Sequence, residues 1–128
     1  MSADFDELLS RIRREAEDGI KYELSRRSFI DRGVFRMFMP LTIEIITDAG
    51  HASMSISKDG AIDLGRGLHR PRNPDITIRT DFGLLHELYN SRDSDLFRDS
   101  ERRGRIEIRG NRAKGRRAEA KLRELLGG

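Results

Sequence analysis

Cysteine and tryptophan are both absent from the 128 residues. Without a thiol there is no disulfide to staple the fold and no thiolate to act as nucleophile or metal ligand. That suits a reducing compartment, and the expected location is cytoplasmic. Long apolar runs are missing too, so no transmembrane segment is expected. The N-terminus lacks the basic-then-apolar pattern of a secretion signal. Aromatic residues are only 6% of the chain and apolar residues 36%, which bounds the core to a modest one. Histidine occurs three times, as His51, His69 and His86, each in a different segment. Their spacing is not that of a metal site, so no metal and no cofactor is expected. No serine has a histidine at a recognisable local spacing, so no catalytic nucleophile is assigned and the chain is read as a non-enzyme. Two glycine-rich stretches also fail as nucleotide sites. Gly110 to Arg116 lacks the Lys-Ser/Thr of a phosphate loop, and Gly65-Arg66-Gly67 lacks the third glycine and the βαβ setting.

Charge is what the chain has in quantity, at 37% of residues with a net +3. Glu101 to Gly128 holds eight Arg and two Lys against four Glu, a balance of +6, which leaves about −3 for the remainder. A basic end invites anions: phosphates, nucleic acid or lipid headgroups. The plainer reading is a solvated surface of mixed sign.

The length suits one domain, residues 1–128. Phe5, Leu8, Leu9, Ile12, Ala16, Ile20 and Leu24 recur at three- and four-residue steps and predict a long amphipathic helix ending near Arg26. Its polar face carries both signs, so it is expected to pack on a sheet or on a second copy instead of lying in a membrane surface. Ser28 to Met39 crowds Phe29, Ile30, Val34, Phe35, Met37, Phe38 and Met39 together, as either a dense piece of core or the wall of a cavity. Leu41 to Thr47 is predicted to be a strand that is central or covered on both faces, since Leu41, Ile43, Ile45 and Ile46 leave little polar surface, and His51 to Ser57 a second. Lys58-Asp59-Gly60 is expected to be a hairpin turn with positive φ at both Asp59 and Gly60. Ala61 to Gly65 returns as a third strand.

The most informative stretch is Pro74 to Gly110. Ile76 and Ile78 alternate with Thr77 and Arg79 as a half-buried strand, and Asp81 then stands where it can cap a helix carrying Phe82, Leu85, Leu88 and Tyr89. A short helix around Leu96 and Phe97 follows. Arg105 to Arg109 is a fifth strand with Ile106 and Ile108 inward, and a last helix runs from about Asn111 to Leu126. Helices at both ends and in one insertion, around a run of strands, give an α+β fold. The expectation is a five-stranded, mainly antiparallel sheet with helices packed on one face.

These features, in this order, resemble the sterol carrier protein 2 (SCP2-like) domain family. The likeness rests on the Lys58-Asp59-Gly60 turn, on P-D-I-T-I-R-T-D from Pro74 to Asp81 before an apolar helix, and on F-R…R-G-R-I-E-I-R-G-N from Phe97 to Asn111 before the last helix. It covers essentially the whole chain. The resemblance implies non-enzymatic binding or transfer of a lipid (a fatty acyl, isoprenoid or sterol-like chain) in an apolar tunnel between sheet and helices. The lining residues it implies are Phe38, Ile43, Ile45, Met54, Ile56, Ile78, Phe82, Leu85, Phe97, Ile106, Leu122 and Leu125. The periodicities place a similar set between sheet and helices, but they do not say whether that space is filled or hollow.

The partner expected first is therefore an apolar small molecule or lipid. Transient contact with a membrane surface and a homodimer through the first helix stay open. One alternative is a filled-core interaction or dimerisation module acting through its surface. Another is a basic nucleic-acid-binding protein, disfavoured by the acidic residues interleaved in the last helix and by the lack of aromatics for stacking.

Overall fold

The computed structural model describes residues 3–26, 36–37, 39–66 and 74–127. The dense apolar segment from Ser28 through Phe38 falls almost wholly outside them. The elements are α1 (Ala3–Arg26), β1 (Leu41–Thr47), β2 (Gly50–Ile56), β3 (Ile62–Arg66), β4 (Ile76–Thr80), α2 (Phe82–Ser91), α3 (Ser94–Arg102), β5 (Ile106–Gly110) and α4 (Arg112–Gly127). The sheet order is β3-β2-β1-β4-β5. β1 is the central strand, as its apolar run predicts. Three of the strand pairs are antiparallel; β1 and β4 are parallel, with Ile43 opposite Ile76 and Ile45 opposite Ile78.

The pleat sorts the side chains by face. The registers put Leu41, Ile43, Ile45, Ala52, Met54, Ile56, Ile62, Leu64, Ile76, Ile78, Ile106 and Ile108 on one side. The helices cover that side, in two clusters. One holds Leu41, Ile76, Ile106 and Ile108 beneath Leu84 of α2, Phe97 of α3 and Ala118 of α4. The other holds Ile45, Ala52, Met54 and Ile62 beneath Phe5 and Leu9 of α1. The opposite face carries Thr42, Ser53, Ser55, Thr77, Arg79, Glu107 and Arg109.

Local chemistry fixes the joints. Asp81 caps α2, its Oδ1 accepting the Leu84 N–H at 2.7 Å, as the sequence predicts. Asp48 adds a second cap from the β1–β2 turn, accepting the Phe82 N–H at 2.7 Å. Asp93 caps α3 by accepting from Asp95 and Leu96, which carries that short helix through to Arg102. The β2–β3 hairpin departs from expectation. It is a three-residue loop in which Gly60 N–H donates to Ser57 O at 3.0 Å and Ser57 N–H to Ala61 O at 2.9 Å. Only Gly60 has positive φ (90°). Asp59 is not in the positive-φ region; its carboxylate binds the Ser57 hydroxyl and the Ala61 N–H instead.

A carboxylate closes each outer edge of the sheet. The Ser57–Ala61 bond sets the ladder parity, so Ile62 turns its peptide groups away from β2. Glu17 of α1 accepts the Ile62 N–H at 2.7 Å, and Arg13 donates to the Ile62 carbonyl at 3.5 Å. On β5, the Gly110 N–H is taken by Glu119 of α4 at 2.5 Å. Unpaired edge groups invite another chain to add a strand, and these contacts occupy those of Ile62 at the start of β3 and the N–H of Gly110 at the end of β5.

The Ile62 N–H, with Lys21 and Arg13 alongside, holds the Glu17 carboxyl below its ordinary value of 4.5. A carboxyl lowered in the folded state stabilises fully above the unfolded value, and that contribution is lost as pH falls through the folded one. Denaturant unfolding followed from neutrality down through pH 4.5 should therefore show a steeper loss of stability in the native chain than in Glu17→Gln. Superimposable profiles would mean that the Glu17 contact does not stabilise the fold.

Candidate functional site

The apolar face of the sheet is the surface on which the implied lining residues can be placed. Ile45 and Met54 are buried beneath α1; Phe97 of α3 and Ile106 of β5 are buried together in the other cluster. Phe82 and Leu85 of α2 are partly buried and pack on the α1 cluster, while Leu84 between them reaches the other. Phe38 lies outside the described residues. Leu122 and Leu125 are placed only as positions along α4.

The remaining three, Ile43, Ile56 and Ile78, behave differently. All point to the helical side from the inner strands β1, β2 and β4. All are only half-buried, although Leu41, Ile45, Met54 and Ile76 around them keep 6% exposure or less. Ile43 and Ile56 pack against both clusters. The middle of the face is thus a seam, where the α1 cover and the α3–α4 cover part.

A second concavity lies outside this face, between α1 and α2. It has a volume of about 340 Å³ and is lined by Asp4, Glu7, Leu8 and Arg11 from one helix and Phe82, Gly83 and His86 from the other. Leu8 is buried at 2% exposure, and the Phe82 ring meets Phe5 edge-on at 6.1 Å. The groove therefore has an apolar floor continuous with the α1 cluster and a charged rim. His86 sits 5.8 Å from the Phe82 ring and exchanges a hydrogen bond with Asn90 Nδ2 at 3.1 Å.

Beyond the groove the two helices are clasped. The guanidinium groups of Arg11 and Arg92 each lie 5.5 Å from the Tyr89 ring centroid, and Arg92 pairs with Glu15 at 2.7 Å. Burial, with Glu15 beside it, raises the Tyr89 phenol above its ordinary value. Sequence reasoning misses this clasp, because Arg11 and Tyr89 are far apart in the chain and only the docked helices join them.

The histidines remain apart: His51 is exposed on β2, His86 is exposed on α2, and His69 falls outside the described residues. Among the described residues there is no group of three or more His, Cys, Asp or Glu side chains able to hold a metal. None of the described helices is long and apolar enough to cross a membrane.

No family model and no curated protein matches the chain. Solved structures do. The solution structure of sterol carrier protein domain 2 of Helicoverpa armigera superposes with a TM-score of 0.54 at 12% identity, covering 92% of this chain and 87% of that one. A UbiJ-SCP2 ubiquinone synthesis protein gives 0.48 at 17% identity, over 91% and 93%. Sterol carrier protein 2-like 2 from Aedes aegypti gives 0.45 at 18%, over 90% and 97%. The Helicoverpa superposition shows that the backbone takes the sterol carrier protein 2 fold, as the Lys58-Asp59-Gly60, Pro74–Asp81 and Phe97–Asn111 stretches imply.

Proposed function

We propose that this chain is a non-enzymatic lipid-binding domain that seats an acyl, isoprenoid or sterol-like chain along the seam of the sheet. The observation that carries the reading is the diagonal run of half-buried Ile43, Ile56 and Ile78 on the inner strands, beside the buried Leu41, Ile45, Met54 and Ile76. Apolar surface left part-exposed in mid-sheet is unfavourable, and covering it with hydrocarbon gains about 0.8 kcal/mol per CH₂ withdrawn from water. Ten methylenes would gain about 8 kcal/mol, set against the cost of parting the two covers. The likeness in fold to a sterol carrier domain supports the same reading. Nothing in the mechanism needs a metal, a nucleophile or a proton transfer; the work is done by burial.

Native mass spectrometry of the purified protein, followed by solvent extraction, tests this. The expected result is a co-purifying lipid near one per chain, or uptake of added fatty acid, isoprenoid or sterol with a rise in thermal stability. Ile43→Trp, which fills the seam, should abolish that uptake in a protein that still folds. Failure of all three lipid classes to bind or stabilise would leave a filled module that acts through its surface.

A further inference from the structure

We propose that the outward face of α4 docks on the anionic surface of a lipid bilayer. From residue 112 to residue 120 the exposed positions of this helix are Arg112, Ala113, Arg116, Arg117 and Ala120, and nothing else. The other polar side chains of that span are engaged inward. Lys114 pairs with Asp75 at 3.6 Å and donates to the Pro40 carbonyl; Glu119 accepts the Gly110 N–H. The solvent side of these turns thus presents three arginines and two alanines, with no exposed carboxylate.

The neighbouring arginines are spoken for. Arg98 pairs with Asp95, Arg102 and Arg103 with Asp99, Arg105 with Asp81, and Arg109 with Glu107. Arg112, Arg116 and Arg117 form no ion pair among the described residues. Their charge is unspent, and a guanidinium presents the planar fork that fits a phosphate.

The shape of the face selects the partner. Gly115 brings the α4 backbone hard against Asp75, so the helix is seated on β4 and β5 with its arginine face outward. Among the described residues no exposed aromatic stands beside this face for base stacking, which weakens the case for a nucleic acid. A bilayer surface is planar and its anionic lipids move laterally, so a short flat row of arginines meets it without a shaped partner. Each Arg near such a surface contributes about fivefold in affinity, screened by salt. This inference rests on charge and exposure alone and stands apart from whether the interior holds a lipid.

The test is vesicle flotation of the full chain with phosphatidylcholine vesicles and with vesicles also containing phosphatidylglycerol, at low and physiological salt. Binding should require phosphatidylglycerol and weaken with salt. Arg116→Gln/Arg117→Gln should bind roughly 25-fold more weakly. Arg14→Gln/Lys58→Gln, which removes the same charge from exposed sites elsewhere, should bind as the native chain does. Circular dichroism on both variants confirms folding. Lack of binding to phosphatidylglycerol vesicles, or equal loss in the two variants, overturns the proposal. Tight, salt-sensitive binding of a mixed-sequence RNA without vesicle binding overturns it in favour of nucleic acid.

Discussion

Gly115→Ala should destabilise the fold by about 2 kcal/mol or more, although alanine is the better helix former by up to about 1 kcal/mol. A Cβ at Gly115 would stand 2.0 Å from the Asp75 carbonyl oxygen and 2.9 Å from its carbon. Both are backbone atoms, so neither can swing aside as a long side chain would. Asp75 is also pinned from several directions. Its N–H donates to Thr42 O at 2.9 Å, its Oδ2 accepts the Thr42 N–H at 2.9 Å, and its carbonyl accepts the Asn111 N–H at 2.8 Å. Asn111 Nδ2 holds the adjacent Pro74 carbonyl at 2.9 Å. Making room for one methyl therefore disturbs β1, the entry to β4 and the β5–α4 corner together. Gly110 meets the same crossing from the other side, its Cβ position lying 2.4 Å from Gly115 O. Gly19 provides the contrast: nothing lies within 4 Å of its Cβ position in mid-α1, so Gly19→Ala should stabilise by up to about 1 kcal/mol. Urea unfolding of the two variants checks both signs. A neutral Gly115→Ala would mean that α4 can slide on the sheet.

The largest loss from a single truncation is expected at Phe5. Its ring is 0% exposed, meets Phe82 edge-on, and joins Leu9 over Ile45, Ala52, Met54 and Ile62. Phe5→Ala should cost about 3–5 kcal/mol, from lost burial and the cavity left between α1 and the sheet. Tyr22, on the same helix but 58% exposed, should change stability by no more than about 0.5 kcal/mol on replacement by alanine. Both follow from denaturant unfolding at neutral pH. If Phe5→Ala lost less than about 1 kcal/mol, α1 would be an arm docked on a core that stands without it.

Much of this architecture is legible in the sequence, because its rules are local. Alternation names the inward residues of β2, β4 and β5, and Asp81 marks the start of α2. What is not legible depends on neighbours. Period-two alternation says which face Ile76 and Ile78 share but not that β4 lies parallel to β1. Glu17 reads as one of many helix charges, and only its distance from Ile62 makes it an edge cap. In the Lys58-Asp59-Gly60 turn, the Asp59 carboxylate bonds within the turn and that residue is not in the positive-φ region, which the Asp-Gly signal alone does not reveal. The twelve implied lining residues illustrate the same limit. For those on the strands the facing follows from pattern; that Ile43, Ile56 and Ile78 stay part-exposed where Ile45 and Met54 are sealed depends on how two groups of helices meet over the sheet.

The strand order has a consequence during synthesis. β1, β2 and β3 are consecutive and can pair as soon as they emerge, but the second side of β1 is reserved for β4, which begins at Ile76. At translation rates of about 5–20 residues per second, Ile76 follows its partner Ile43 by roughly 2–7 s. For that interval the nascent chain carries an apolar meander in which β1 is an edge strand with one bare side. It is then a substrate for chaperones, or for a second nascent chain of the same kind, until β4 arrives to close the sheet.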